Sequence, residues 1–153
     1  MLRVPLFLFL LATPAHATEF TFSVPIKSGP LLGTIATGTI DLEDGVFTGV
    51  GTETFAAPNN PFPNAGDIVS FELTILTLDF SEATTISGPT DFRIVFENGE
   101  VTQFSYLGAL FNPGASAFLT IDAKKSEADI RTTGGKGEEL RSLGGPVTFV
   151  QVN

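Results

Sequence analysis

The feature that most constrains this chain is a two-residue alternation of apolar and polar side chains that recurs along most of its length. TEFTFSVPI (residues 18–26) sets Phe20, Phe22, Val24 and Ile26 against Glu19, Thr21 and Ser23. In an extended chain, successive side chains point to opposite faces, so this pattern predicts a half-buried strand. Similar runs follow: LGTIATGTIDL, VFTGVGTET, SFELTILTL, DFRIVF, VTQFSYLGAL, SAFLTIDA, ADIRTT and PVTFVQV. They are separated by Gly, Pro, Asn and Asp, which punctuate strands. The expected fold is all-β, an antiparallel sandwich or barrel of about eight to nine strands with little helix. GEELRSL (residues 137–143) is the best helical candidate and allows a turn or two. No long amphipathic segment alternates with the strands, which argues against a parallel α/β sheet.

The first 17 residues do not belong to this pattern. MLRVPLFLFLLATPAHA has a positive Arg3, a short apolar run and small residues at Ala15 and Ala17. This is the layout of a secretory signal peptide. The apolar run is about half the ~20 residues that a membrane-crossing helix needs, so no retained membrane span is expected. The expected product is exported, to the periplasm or the exterior, as a single β domain of residues 18–153. Removing residues 1–17 leaves 136 of the 153 residues and takes the net charge from −9 to −10, because Arg3 is lost. That length buries one core without staples.

Composition then excludes chemistries. The chain has no Cys and no Trp, and its single His, His16, lies in the leader. Ser-His-Asp and Cys-His catalysis lack their residue types, as does zinc held by imidazole or thiolate. No disulfide framework supports the fold despite export. The acidic balance repels phosphate backbones and argues against nucleic acid as a partner. No cofactor is expected. GVGTET (residues 49–54) and GKGEEL (residues 135–140) lack the strand–turn–helix setting that nucleotide fingerprints require.

Three segments hold the remaining candidates. DLEDG places Asp41, Glu43 and Asp44 together, the candidates for oxygen-ligated calcium. Glycine falls at position five rather than six of an EF-hand-like loop, and Asp44-Gly45 reads more simply as a hairpin turn. The Pro- and Asn-rich residues 56–67 predict a long surface loop, with Asn60, Phe62, Asn64 and Asp67 as candidate ligand contacts. VFENGEVTQF places Glu97 and Glu100 around Asn98-Gly99, the only candidate acid–base pair. A three-residue loop of Glu97, Asn98 and Gly99 with a bulge at Gly99 sorts the faces best. It aligns Phe92, Ile94 and Phe96 with Phe104 and Tyr106 on one core face, with the Tyr106 hydroxyl at a rim. The glutamates then belong to an exposed turn, so no catalytic residue is assigned. Most of the 13 phenylalanines beyond residue 17 alternate within strands and read as core.

GTIATGTIDLEDGVFTGVGTETF and FRIVFENGEVTQFSYLGAL resemble the uncharacterised, exported, β-rich bacterial proteins of the PEP-CTERM-associated type. The resemblance implies export and a β-rich domain, and it supplies no functional residues. The end of this chain, GGPVTFVQVN, lacks the sorting tail of that class. The expected function is therefore a non-enzymatic β domain that meets an envelope or matrix component through surface contacts. A second reading is a small-ligand, glycan or calcium-binding module using strand-end loops; a third is a carboxylate-dependent glycosidase. TEFTFSVPI and PVTFVQV are candidate mutual partners or sheet edges, and through such edges a homo-oligomer would form.

Overall fold

A computed structural model describes residues 17–57, 66–81, 92–112, 115–121, 128–133 and 139–152. These residues form eleven strands and no helix: β1 (Thr18–Ser28), β2 (Ile35–Leu42), β3 (Thr52–Ala56), β4 (Gly66–Ile75), β5 (Leu78–Ser81), β6 (Arg93–Glu97), β7 (Glu100–Asn112), β8 (Ala115–Ile121), β9 (Ala128–Thr133), β10 (Glu139–Gly144) and β11 (Thr148–Gln151). Among them, no helix is long and apolar enough to cross a membrane. The all-β expectation holds.

The strands join one sheet in the order β10-β9-β8-β7-β6-β3-β4-β2-β1-β11, with β5 attached to β4. Every ladder is antiparallel except β3 with β4, where Phe55 faces Gly66 and Ala56 faces Asp67. β1 is shared: Phe20 to Ser23 pair with β11, while Ile26 and Ser28 meet β10 across a bulge. That second contact is two residue pairs long. It draws the curled sheet back toward itself without making the continuous wall of a closed barrel. The inward side chains form one core, in which Phe71 meets Tyr106 at 4.3 Å and Phe92 at 4.9 Å between ring centroids. As the alternation requires, Phe20, Phe22, Val24 and Ile26 are all buried.

Several local expectations are corrected. SFELTILTL is not one strand: β4 ends at Ile75, and Leu76 and Thr77 turn the chain into β5. Leu76 has φ +54°, a conformation its side chain does not favour, so no turn residue announces the break. Asp44-Gly45 does form a turn, but not a hairpin between adjacent strands. Residues 46–51 run as a loop, and β3 pairs with β6 and β4 rather than β2. Phe47 in that loop packs against Phe20, Phe55 and Phe96.

Of the expected helical stretch, the described residues 139–143 lie in β10, not in a helix. Local propensity yields to the ladder with β9 and to Ser142, which is buried and accepts a hydrogen bond from Leu31 N at 3.1 Å. Gly29 permits that approach, since a Cβ there would lie 2.2 Å from Arg141 O.

The β6–β7 hairpin has a two-residue loop, not three. Asn98 (φ +51°) and Gly99 (φ +85°) are both left-handed, and Glu97 faces Glu100 directly. This is the type I′ turn that Asn-Gly favours. The facial alignment nonetheless survives, because the bulge sits farther along. Thr102 is the extra residue between the pairs Phe96–Val101 and Val95–Gln103. Phe92, Ile94 and Phe96 therefore share the core with Phe104 and Tyr106. The Tyr106 hydroxyl is not at a rim; it is buried and donates to Ser81 O at 2.9 Å. β1 and β11 pair, as one of the two expectations for the chain ends allowed, which leaves β11 at the end of the path.

Candidate functional site

Of the described residues singled out from the sequence, Glu97 and Glu100 face each other across the hairpin, and the rest do not gather into one site. Asp41 lies on the outer side of β2, where its carboxylate accepts a short hydrogen bond from Ser70 Oγ. Glu43 and Asp44 are exposed in the following turn. Among the described residues, no group of three His, Cys, Asp or Glu side chains is placed to hold a metal. Asn60, Phe62 and Asn64 lie outside the described residues, and Asp67 is known by its backbone pairing with Ala56. Glu97 and Glu100 flank the hairpin turn and are exposed. The work of that turn is done by Asn98. Its N–H donates to Gly51 O (2.8 Å) and its Oδ1 accepts from Gly51 N (3.1 Å), fixing the hairpin to the loop before β3. Glu53 braces the same loop, accepting from Thr48 N, Thr48 Oγ1 and Gly49 N at 2.8–2.9 Å.

What the strands do assemble is two outward faces of opposite chemistry. On β11, β1, β2, β4 and β5 the outward residues fall in register rows. One row is Thr148, Ser23, Thr37, Thr74 and Asp79; the next is Val150, Thr21, Thr39, Glu72 and Ser81. Neither row holds an aromatic ring or a basic group.

The face of β7, β8, β9 and β10 reads differently. Its rows are Leu107, Thr120, Asp129 and Leu143; Ala109, Phe118, Arg131 and Arg141; and Phe111, Ser116, Thr133 and Glu139. Phe111 is 67% exposed and is the one exposed aromatic among the described residues. It meets Phe118 edge-on, with ring centroids 5.7 Å apart. Beside Phe118, a groove of about 380 Å³ is lined by Leu107, Phe118, Thr120, Arg131, Thr133 and Glu139.

Four charges lie together on this face, and two of them, Arg131 and Glu139, line the groove. Arg141 grips Asp129 with two nitrogens, Nη2 at 2.7 Å and Nε at 3.0 Å. Arg131 reaches Asp129 at 3.2 Å and Glu139 at 3.5 Å. Burial pushes the Asp129 carboxyl up, but the hydrogen bonds from Arg141 and Arg131 outweigh it and hold the group below the usual carboxylate range. Two cations and two anions make the quartet neutral, and they hold the Arg131 guanidinium at the groove wall. The arrangement presents an aromatic surface, fixed hydrogen-bond donors and a carboxylate acceptor.

These residues were readable in principle. The alternation of SAFLTI puts Phe118 in a polar file with Ser116 and Thr120, against a buried file of Ala117, Leu119 and Ile121. D-x-R in β9 and E-x-R in β10 place opposite charges two residues apart on one side of each strand. Phe118 is an exception to the expectation that most phenylalanines face the core, and its polar file is the signal that marks it.

Against known proteins, the chain matches no family model, no curated protein and no solved structure.

Proposed function

We propose that this protein is an exported, non-enzymatic β domain that binds an envelope or matrix component through the outer face of β7, β8, β9 and β10. The observation that carries this reading is the exposed Phe111 packed on Phe118 beside Arg131. Aromatic rings and arginine are the side chains that concentrate binding energy at interfaces. Leaving a phenylalanine in water forgoes about 1.5–3 kcal/mol of burial, which a partner recovers by covering it. The charge quartet adds orientation, since paired surface charges steer and register a partner more than they tighten it.

The test is co-sedimentation of the purified protein with cell-envelope and matrix material from the producing cells. The wild type is expected in the pellet. Phe111→Ser with Phe118→Ser is expected to release it, while Thr37→Ala with Thr39→Ala on the opposite face leaves binding unchanged. Equal retention of all three proteins, or release by the threonine pair alone, would overturn the assignment.

A further inference from the structure

We infer that the groove beside Phe118 binds a neutral glycan chain, an inference that rests on the contact face just proposed and names its ligand class. Four properties of the groove converge on that chemistry. Its volume of about 380 Å³ falls within the range of small-ligand sites, ~300–1,000 Å³. It has an aromatic side chain in its wall, and an aromatic face is the natural surface for the apolar C–H face of a sugar ring. Its polar wall pairs opposite roles: Arg131 only donates and Glu139, ionised, only accepts, with 3.5 Å between their nearest atoms. A sugar hydroxyl does both, so one hydroxyl accepts from Arg131 and donates to Glu139. Thr120 and Thr133 line the same groove and add two hydroxyls of the same double capacity.

Charge selects among glycans. The groove contains one cation and one anion, so it has no net pull on a uronate, sulfate or phosphate. The whole chain carries −9 and repels all three. A neutral ligand escapes that penalty. Length selects an oligomer over a single sugar. The face spans four strands, β7 to β10, and three interstrand spacings of ~4.8 Å give about 14 Å. The hydroxyl-lined opposite face has a groove of its own, about 450 Å³, with donors and acceptors too, but the one aromatic residue in its lining, Phe22, is buried in the core at 3% exposure and presents no ring face to a ligand. Thr74 there already donates to Asp79 at 2.7 Å.

The experiment is affinity electrophoresis through gels containing a β-1,3-glucan, a β-1,4-glucan, a mannan or a polyuronate, followed by calorimetry with the hexasaccharide of each retarding polymer. At least one neutral polymer is expected to retard the wild type, with the polyuronate inert. Phe118→Ala is expected to weaken binding about tenfold or more, as a central aromatic contact does. Phe118→Tyr keeps the ring and restores binding, Arg131→Gln weakens it less, and Thr37→Ala leaves it unchanged. Amide spectra identify any variant that has lost its fold, and Phe118→Tyr then supplies the comparison with Arg131→Gln. The inference is overturned if no neutral polymer retards the protein, if the polyuronate binds as well, or if Phe118→Ala binds like the wild type. Where envelope material is still lost on serine substitution of Phe111 and Phe118 but no neutral glycan binds, the contact face stands and the glycan fails. Where both measurements are unaffected, both readings fall together.

Discussion

The two outer faces of this sheet share one core and one strand grammar, yet they differ in kind. The face of β11, β1, β2, β4 and β5 is hydroxyl-rich, with Thr21, Ser23, Thr37, Thr39, Thr74 and Thr148 in register. Such residues suit a pleated, solvated surface and need no partner. The face of β7, β8, β9 and β10 interrupts the same grammar with Phe111, Phe118 and a guanidinium–carboxylate network. An exposed Phe111 packed on a half-buried Phe118, with arginines held by carboxylates, exceeds what a strand needs to stay soluble. The contrast teaches that what distinguishes the two faces is a departure from local pattern rather than a motif.

The sharpest way to break the comparison is from beneath, where one glycine underlies each face. A Cβ on Gly38 in β2 would lie 2.2 Å from Glu72 O and 2.5 Å from the Phe22 ring. The carbonyl belongs to the neighbouring strand of the ladder and cannot swing away. Gly38→Ala is expected to cost about 3 kcal/mol, the upper range for overpacking, in a denaturant titration. Gly108 in β7 is crowded by a side chain instead: its Cβ would meet the Tyr106 hydroxyl at 2.2 Å. Gly108→Ala is expected to cost about 1–2 kcal/mol, and Gly108→Ala with Tyr106→Phe less than the two single changes summed. Additive costs would show that the two residues do not compete for the same space.

Much of the architecture was legible because burial imposes a period of two. The core files of β1, β6 and β7 follow directly from that period, and even a misjudged loop length at Asn98-Gly99 left them unchanged. A bulge at Thr102 absorbed the difference, since facing is set by the apolar file and the ladder adjusts to it. What stayed hidden depended on partners far along the chain. Residues 137–143 favour a helix locally, and the described ones, 139–143, lie in β10 only because β9 and the turn at Gly29 receive them. Leu76 turns the chain without any of the residues that mark turns. The groove draws on β7, β8, β9 and β10, and no local window contains both Phe118 and Glu139. The carboxylates around Asn98-Gly99 attracted notice because they are adjacent in sequence, yet adjacency gave them no pocket.

The two hairpin tips extend the comparison to a smaller energy. Asn98-Gly99 fits its left-handed turn, whereas Leu76 holds φ +54° with an exposed side chain that gains little from packing. Replacing Leu76 by Gly removes the clash of a Cβ in that region, which costs roughly 1–2 kcal/mol. Part of the gain is lost to the greater freedom of glycine in the unfolded chain. Leu76→Gly is therefore expected to stabilise the protein by about 1 kcal/mol, read as a raised midpoint in thermal unfolding. A lowered midpoint would show that the leucine is held by contacts that outweigh its strain.

The smallest effect lies in the charge quartet, and pH isolates it. Hydrogen bonds from Arg141 and Arg131 hold the Asp129 carboxyl below its ordinary range despite the opposing effect of burial. A group whose native pKa is depressed releases its proton more readily when folded, so its contribution is complete above the ordinary carboxylate pKa of about 3.9. That contribution fades as pH falls from there through the lowered native value. Asp129→Asn is expected to cost about 0.5–1 kcal/mol at pH 7, the scale of an exposed but bidentate pair. The difference from wild type should shrink on acidification below pH 4 and, because the Arg131 and Arg141 side chains are about half exposed, also in high salt. Asp41→Asn on the hydroxyl face is the matching control: its carboxylate meets Ser70, with no guanidinium bonded to it among the described residues, so its cost should not depend on salt. A salt-independent loss at Asp129 would mean that its hydrogen bonds, rather than its charge, hold Arg131 at the groove.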